Sequence, residues 1–188
     1  MFNWMVRTAA PVVAVGLLVL TAPASYAQPN SSLNDLVDAA ARRLQIAEPV
    51  AASKFHTGGP IEDPVREQQV LDYVSAEATT LRLDPAYVTA AFRDQIDATV
   101  AIEYSRLSQW TLDPASAPAQ PPDLAASRGI IDALNREMVT LMADQWDVLH
   151  SATCGADLDV AKAMVAQARA MDPLYRQAID FATRNYCR

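Results

Sequence analysis

The residues in this 188-residue chain that could do chemistry are cations placed where apolar side chains belong. A helix advances about 100° per residue, so each position can be placed on a wheel. With Leu33 at zero, the apolar stripe of the first segment runs through Leu33, Leu36, Val37, Ala40 and Leu44. Arg42 falls at about 180°, on the solvent side, and Arg43 at about 280°, beside Leu36. Lys54 lies three turns further on, near the face of Arg43. Arg66 shares the direction of Val70, Tyr73, Val74 and Leu81 in a second segment. Arg128 shares the face of Leu124, Met142 and Trp146, and so does Asn135. In a segment marked by Val88, Phe92 and Ile96, Thr99 falls at about 20° and Glu103 at about 60°, inside the stripe.

A buried charge costs several kcal/mol unless it is paired. Four cations against one obvious inward carboxylate, Glu103, do not balance, and a small dianionic ligand would supply the missing charge. Asp63, Glu67 and Glu77 are acids that could instead build an internal network. A single arginine or lysine at a stripe edge can also be snorkelling to solvent. No serine or cysteine triad motif accompanies the cations, and His56 and His150 have no metal-ligand spacing.

These groups must be held by helices. The chain has 51% hydrophobic residues, 7% aromatics and five glycines, and its Ala-, Leu- and Arg-containing segments favour helix over sheet. The first helix begins at Ser32, with Asp35 completing a capping-box variant. Pro49 kinks or interrupts it, and the pattern resumes from Val50 to Phe55. Thr57 to Pro60 is a turn. Asp63-Pro64 and Asp84-Pro85 are helix starts, giving helices to about Leu81 and Trp110. The proline-rich stretch from Asp113 to Pro122 is a loop, after which Asp123 caps a long helix through Leu149. Two shorter helices follow, from about Ala156 to Ala170 and from Asp172-Pro173 to Tyr186. The expected fold is a single-domain, all-α bundle of about six helices, with no alternating strand pattern.

The ends and the charge set the setting. Arg7, the apolar run Val12 to Leu20 and the small residues of Ser25-Tyr26-Ala27 read as a signal peptide over residues 1–27. That leaves a single domain over residues 28–188, placed in the periplasm or outside the cell. The net charge of −7 argues against nucleic acid or an anionic membrane surface as a partner. The two cysteines, Cys154 and Cys187, form an even pair in an oxidising compartment and suggest a disulfide. Closing a loop of about 34 residues, it would contribute roughly 3–4 kcal/mol.

From Leu33 to Cys187 the chain resembles the secreted, gamma-type subclass of the AroQ chorismate mutases. The segments that carry the resemblance are Leu36 to Leu44, Pro49 to Lys54 and Pro60 to Glu67. Phe92 to Thr99 with Ile102 to Ser105, and Pro121 to Arg128, complete it. Their most specific feature is an Arg, a Lys eleven residues on, an Asp nine beyond it and an Arg three further. The resemblance implies conversion of chorismate to prephenate in an all-helical site without metal or cofactor. It also implies a homodimer in which each site lies inside one chain.

By the same resemblance Arg43 and Arg128 bind substrate carboxylates, and Lys54 donates to the ether oxygen. Arg66 is a further arginine at the substrate, and Asp63 is the acid near its hydroxyl. Thr99 and Glu103 line the site. Where some members carry Gln four residues after the Arg66 position, this chain has Val70, with Gln69 adjacent. An isochorismate-pyruvate lyase, or a non-catalytic exported binder of an anionic metabolite, would use the same cations.

Overall fold

The aspartate-proline signals work as helix starts because each aspartate is free to accept a backbone N–H while the proline needs no donor of its own. In the computed structural model, which describes Met1 and residues 33–120 and 123–188, Asp63 caps α3 (Pro64–Thr80) through Arg66 N. Asp84 caps α4 (Pro85–Leu112) through Ala86 N. Asp172 caps the C-terminal helix through Tyr175 N. Asp123 caps α5 (Leu124–Asp144) in the same way through Ala125 N. The signal peptide expected over residues 1–27, of which only Met1 is described, lies otherwise outside the described residues, as do the expected Ser32 cap and Pro121-Pro122. Leu33 stands at the N-cap of α1 (Asn34–Gln45), with no side-chain cap.

The first helix is interrupted three residues earlier than Pro49 itself. α1 ends at Gln45, and α2 (Ala47–Thr57) restarts after Ile46. A proline ring clashes with the carbonyl four residues before it, which here belongs to Gln45. Pro49 sits instead in the first turn of α2, where its missing N–H costs little. α2 ends on Gly58 at φ 68°, a left-handed C-cap that glycine adopts without a Cβ penalty.

The later elements differ from expectation at three places. The proline-rich stretch contains one 3₁₀ turn, Pro114–Ser116. The long helix does not run to Leu149 but breaks at Gln145, followed by the single turn α6 (Trp146–Leu149). That break sets Trp146 edge-on to Tyr87 at 5.2 Å and against His150 at 4.0 Å. α7 (Cys154–Ala168) is followed by α8 (Pro173–Ala182), which stops four residues short of Tyr186. Residues 183–188 leave the helix as a short tail.

No strand occurs among the described residues, and none of their helices is long and apolar enough to cross a membrane. α4 is the spine. At 28 residues it spans about 42 Å and packs against α2, α3 and α8, while α1 packs against α5, α7 and α8. Leu36, Leu44, Phe92, Ile102, Met138 and Met142 fill the space between them with no exposed surface. Arg169 ties α7 back to α1 by two bonds to Asp38, at 2.5 and 2.6 Å. Arg106 joins α4 to Glu48 on α2 and Asp172 ahead of α8.

Cys154 and Cys187 are disulfide-bonded, 33 positions apart, with Cα atoms 5.6 Å apart. The bond fastens the tail to the start of α7. Reduction, or Cys154→Ser with Cys187→Ser, is expected to lower the thermal midpoint by roughly 10 °C, the equivalent of about 3–4 kcal/mol of lost loop constraint. Melting curves with and without reductant check this, and coincident curves would show that the bond adds no stability.

Candidate functional site

One cavity gathers all seven residues singled out in the sequence. Arg43, Lys54, Asp63, Arg66, Thr99, Glu103 and Arg128 line it, together with Val50, Ile61, Val70, Ile96 and Ile131. They come from five helices, α1 to α5. Arg43 stands near the end of α1 and Lys54 in the last turns of α2, after the Pro49 restart has re-aimed that helix. Asp63 and Arg66 open α3. Thr99 and Glu103 lie four residues apart on the face of α4 that meets α1 and α2. Arg128 is in the first turns of α5.

The charges are paired more fully than the sequence balance implied. Lys54 Nζ meets Glu103 Oε2 at 2.7 Å and also donates to the Ile61 carbonyl. Arg128 Nη2 meets Asp63 Oδ2 at 2.8 Å. Arg66 is paired with Asp132, one turn beyond Arg128 on α5. Its own link to Asp63 is through the backbone, as the capped N–H.

Arg43 is the exception. It is 4% exposed, and its hydrogen-bond partners are all neutral. Nε donates to Asn135 Oδ1 at 2.8 Å. Nη1 donates to Thr99 Oγ1 at 3.2 Å and to the Gln95 carbonyl at 3.4 Å. Nη2 has no hydrogen-bond partner among the described residues. Burial makes the cation costly and pulls the guanidinium down to about 10 from its usual 12.5, so it remains charged at neutral pH.

Glu103 is 3% exposed, and burial pushes its carboxyl above the usual carboxylate range. Lys54, by hydrogen bond and by charge, and then Arg43 act in the opposite direction. Removing or occupying those cations with another anion would therefore drive Glu103 further toward its protonated form.

Three residues that matter here were not read from the sequence as site groups. Asn135 was visible on the apolar face of its helix but had no assigned task; it holds Arg43. Gln95, with no exposed surface, bonds the Ala40 carbonyl at 2.9 Å and offers its own carbonyl to Arg43. It falls at about 340° on the α4 wheel, at the edge of the stripe. Asp132 could have been found by its four-residue spacing from Arg128.

The Gln69 question has a geometric answer. Val70 lines the cavity, whereas Gln69 is exposed and faces a neighbouring depression with Tyr73 and Arg136. Arg42 does point away from the cavity, as its wheel position requires. It is half-buried rather than free, paired with Glu137 and with Asp38 at 3.3 Å.

Comparison with known proteins decides what this cavity belongs to. Residues 34–104 match the family model "Chorismate mutase type II". The chain is 54% identical to the secreted chorismate mutase of Mycolicibacterium smegmatis, over 95% of this chain and 99% of that one. The chain belongs to the chorismate mutase type II family. It is also 46% identical to the secreted chorismate mutase of Mycobacterium tuberculosis, over 95% of this chain and 92% of the relative. The crystal structure of a chorismate mutase from Burkholderia phymatum superposes with a TM-score of 0.79 at 30% identity, covering 85% of this chain and 98% of that one. The all-helical architecture is therefore that of type II chorismate mutases.

The two kinds of arginine separate in one experiment. Arg128 and Asp63 are both more than a third exposed, so their pair contributes only about 0–1 kcal/mol to folding. Arg128→Ala is expected to leave the thermal midpoint nearly unchanged yet raise KM for chorismate about ten- to a hundredfold, the worth of a charged contact to a carboxylate. Arg42→Ala should leave KM unchanged. Steady-state kinetics beside melting curves check both; equal effects from the two variants would contradict the assignment.

Proposed function

We propose that this cavity rearranges chorismate to prephenate, using Arg43 and Arg128 for the substrate carboxylates and Lys54 for the ether oxygen. The observation that supports it best is Arg43: a buried cation with neutral partners, opening on a cavity that three further cations line. A ligand with two carboxylates supplies what the protein withholds.

The reaction is an intramolecular pericyclic rearrangement. One C–O bond breaks as one C–C bond forms, and no nucleophile or general base takes part. The protein must hold a flexible molecule in a compact chair geometry, which converts binding into orientation. Planar guanidiniums suit that task because they meet carboxylates in two parallel hydrogen bonds. As the ether bond stretches, negative charge collects on its oxygen. Lys54 stabilises that charge more in the transition state than in the ground state, and so acts on kcat. Arg66, steadied by Asp132, closes one wall near the substrate. Asp63, which accepts from Arg128, faces the substrate hydroxyl.

Glu103 fits this reading as a protonated donor. An ionised carboxylate only accepts hydrogen bonds and would repel the ether oxygen. Burial already raises its pKa, and a bound dianion engaging Lys54 and Arg43 removes the two groups that hold it down. Thr99, which donates to the Gln95 carbonyl at 2.8 Å while accepting from Arg43, keeps the guanidinium in plane.

The chain acts as an exported enzyme in this reading. The relatives named secreted chorismate mutases and the disulfide agree with the signal peptide over residues 1–27. In this reading the chain also acts as a homodimer, as its family resemblance implies; the seven site groups that line one cavity of a single chain agree with a whole site in each copy.

Three measurements test the reading. The mature, oxidised protein should consume chorismate and release prephenate, and isochorismate should not give pyruvate and salicylate; stable chorismate in its presence would refute the function. Lys54→Ala should lower kcat about a hundred- to a thousandfold, with a smaller change in KM. For Glu103 the sign follows from its raised pKa: the useful form is protonated, so kcat/KM falls as pH rises through that pKa. Glu103→Gln should retain much of the activity and flatten this decline. Binding of a stable dianionic analogue should take up a proton near neutral pH, read by calorimetry in buffers of different ionisation enthalpy. A Gln variant inactive at every pH would remove Glu103 from this role.

A further inference from the structure

Asn135 on α5 takes the shortest hydrogen bond of the Arg43 guanidinium, 2.8 Å from Nε to Oδ1. The residue has no exposed surface. Its Nδ2, at the other end of the same amide, is buried without a hydrogen-bond partner among the described residues. A buried donor left unpaired destabilises a fold, and natural proteins rarely carry one without a use.

A carboxylate has almost the shape of this amide and would serve the fold better. It has no N–H to leave unpaired, it can take two N–H groups of one guanidinium, and its charge would answer a buried cation. The protein uses that pairing elsewhere in the same bundle. Asp94, the chain neighbour of Gln95 and only 2% exposed, accepts from Arg184 Nε and Nη2 of the tail at 2.9 and 2.6 Å and from Asn185 Nδ2 at 2.6 Å. Lys54, Arg66 and Arg128 each meet a carboxylate as well. Arg43 is the one buried cation of the four that line the cavity, the other three being half-buried. Pairing would matter most there, and there the partner is an amide.

We infer that Asn135 is a positioning residue that fixes the Arg43 guanidinium without neutralising it, leaving the charge of Arg43 for a carboxylate of the ligand. Oδ1 orients the group through Nε, while Thr99 and the Gln95 carbonyl hold Nη1. The unpaired Nδ2 is the stability given up by using an amide in place of a carboxylate. This rests on the reading of Arg43 as a carboxylate-binding group. The neutrality of Asn135 therefore acts on substrate affinity, not on the chemical step, which depends on Lys54.

Two variants separate charge from position. Asn135→Asp keeps the shape and adds a charge; Asn135→Ala removes the oxygen and adds none. The inference predicts that Asn135→Asp raises KM for chorismate about ten- to a hundredfold, with kcat within about threefold. Its thermal midpoint should lie at or above that of Asn135→Ala. Asn135→Ala, which leaves both partners of Nη1 in place, should lower the midpoint and raise KM less than Asn135→Asp does. A merely structural amide predicts the reverse order, with the truncation more harmful than the near-isosteric acid and KM unmoved by the added charge. A KM for Asn135→Asp less than tenfold above the parent, or not above that of Asn135→Ala, overturns the inference. So does an Asn135→Asp protein that melts below Asn135→Ala or does not fold, since Arg43 would then not be answering the carboxylate. If the parent enzyme itself does not turn over chorismate, the proposed function has failed first; the Asn135 inference fails separately, on a parent that is active.

Discussion

The burial of Arg43 is the constraint around which the rest of the bundle is arranged. A guanidinium at 4% exposure loses most of its hydration, and its pKa falls toward 10. Nothing in its hydrogen-bond set is charged. The protein tolerates this with three oriented oxygens, from Asn135, Thr99 and Gln95. A fourth, charged contact from the protein would stabilise the fold more, but it would also occupy the direction in which the substrate must approach. Leaving the cation under-compensated moves part of the cost of folding into affinity for an anion.

α4 makes that compromise possible. Gln95, Thr99 and Glu103 are spaced four apart on one face of a long helix, so a single element sets Thr99 and Glu103 in the cavity wall and offers the Gln95 carbonyl to Arg43 one turn before them. Gln95 faces α1, Thr99 faces Arg43, and Glu103 faces Lys54 on α2. Asp94, one residue off this row, faces the other way and takes hold of the tail. A shift of α4 by one residue would rotate the row by about 100°, out of the cavity altogether. The packing of α4 against α2, α3 and α8 is thus a precondition of the electrostatics, and the fully buried Phe92 and Ile102 contribute to catalysis by fixing register.

Much of this was legible in the sequence because it is local. Asp-Pro capping depends on two adjacent residues, and each such start lies where the sequence put it. Wheel position separated Arg43 from Arg42 because that needs only helical geometry. Export and an even cysteine pair pointed to the Cys154–Cys187 bond. What could not be read is long-range. The pairing of Arg128 with Asp63, of Arg66 with Asp132, and of Arg42 with Glu137 depends on which helices become neighbours, and no periodicity encodes that. The sequence therefore overstated the excess of positive charge, since the carboxylates that answer it sit on other helices. The break at Gln145 was missed for a related reason. No proline or glycine marks it, and the aromatic packing of Trp146 against Tyr87 is a tertiary effect. The early stop of α8 belongs to the same class, being tied to partners on α4 and the disulfide.

The pairing also sharpens how the work is divided among the cations. A cation that already has a carboxylate must exchange it, or share it, when a dianion arrives, and the net gain is the difference between two similar contacts. Lys54 and Arg128 are in that position, so much of their attraction for the ground state is spent on release from Glu103 and Asp63. Arg43 gives up no carboxylate, so its contribution to ground-state affinity should be the largest of the four. For Lys54 the exchange has a second consequence. If Glu103 takes up a proton as the substrate binds, Lys54 is freed without leaving an uncompensated anion beside the ether oxygen. Its attraction is then expressed as charge builds on that oxygen, which is the condition for raising kcat instead of only tightening binding. In the proposed reading, the coupling between a buried carboxyl and a buried ammonium 2.7 Å apart would turn an ion pair of the resting protein into a donor pair for the transition state.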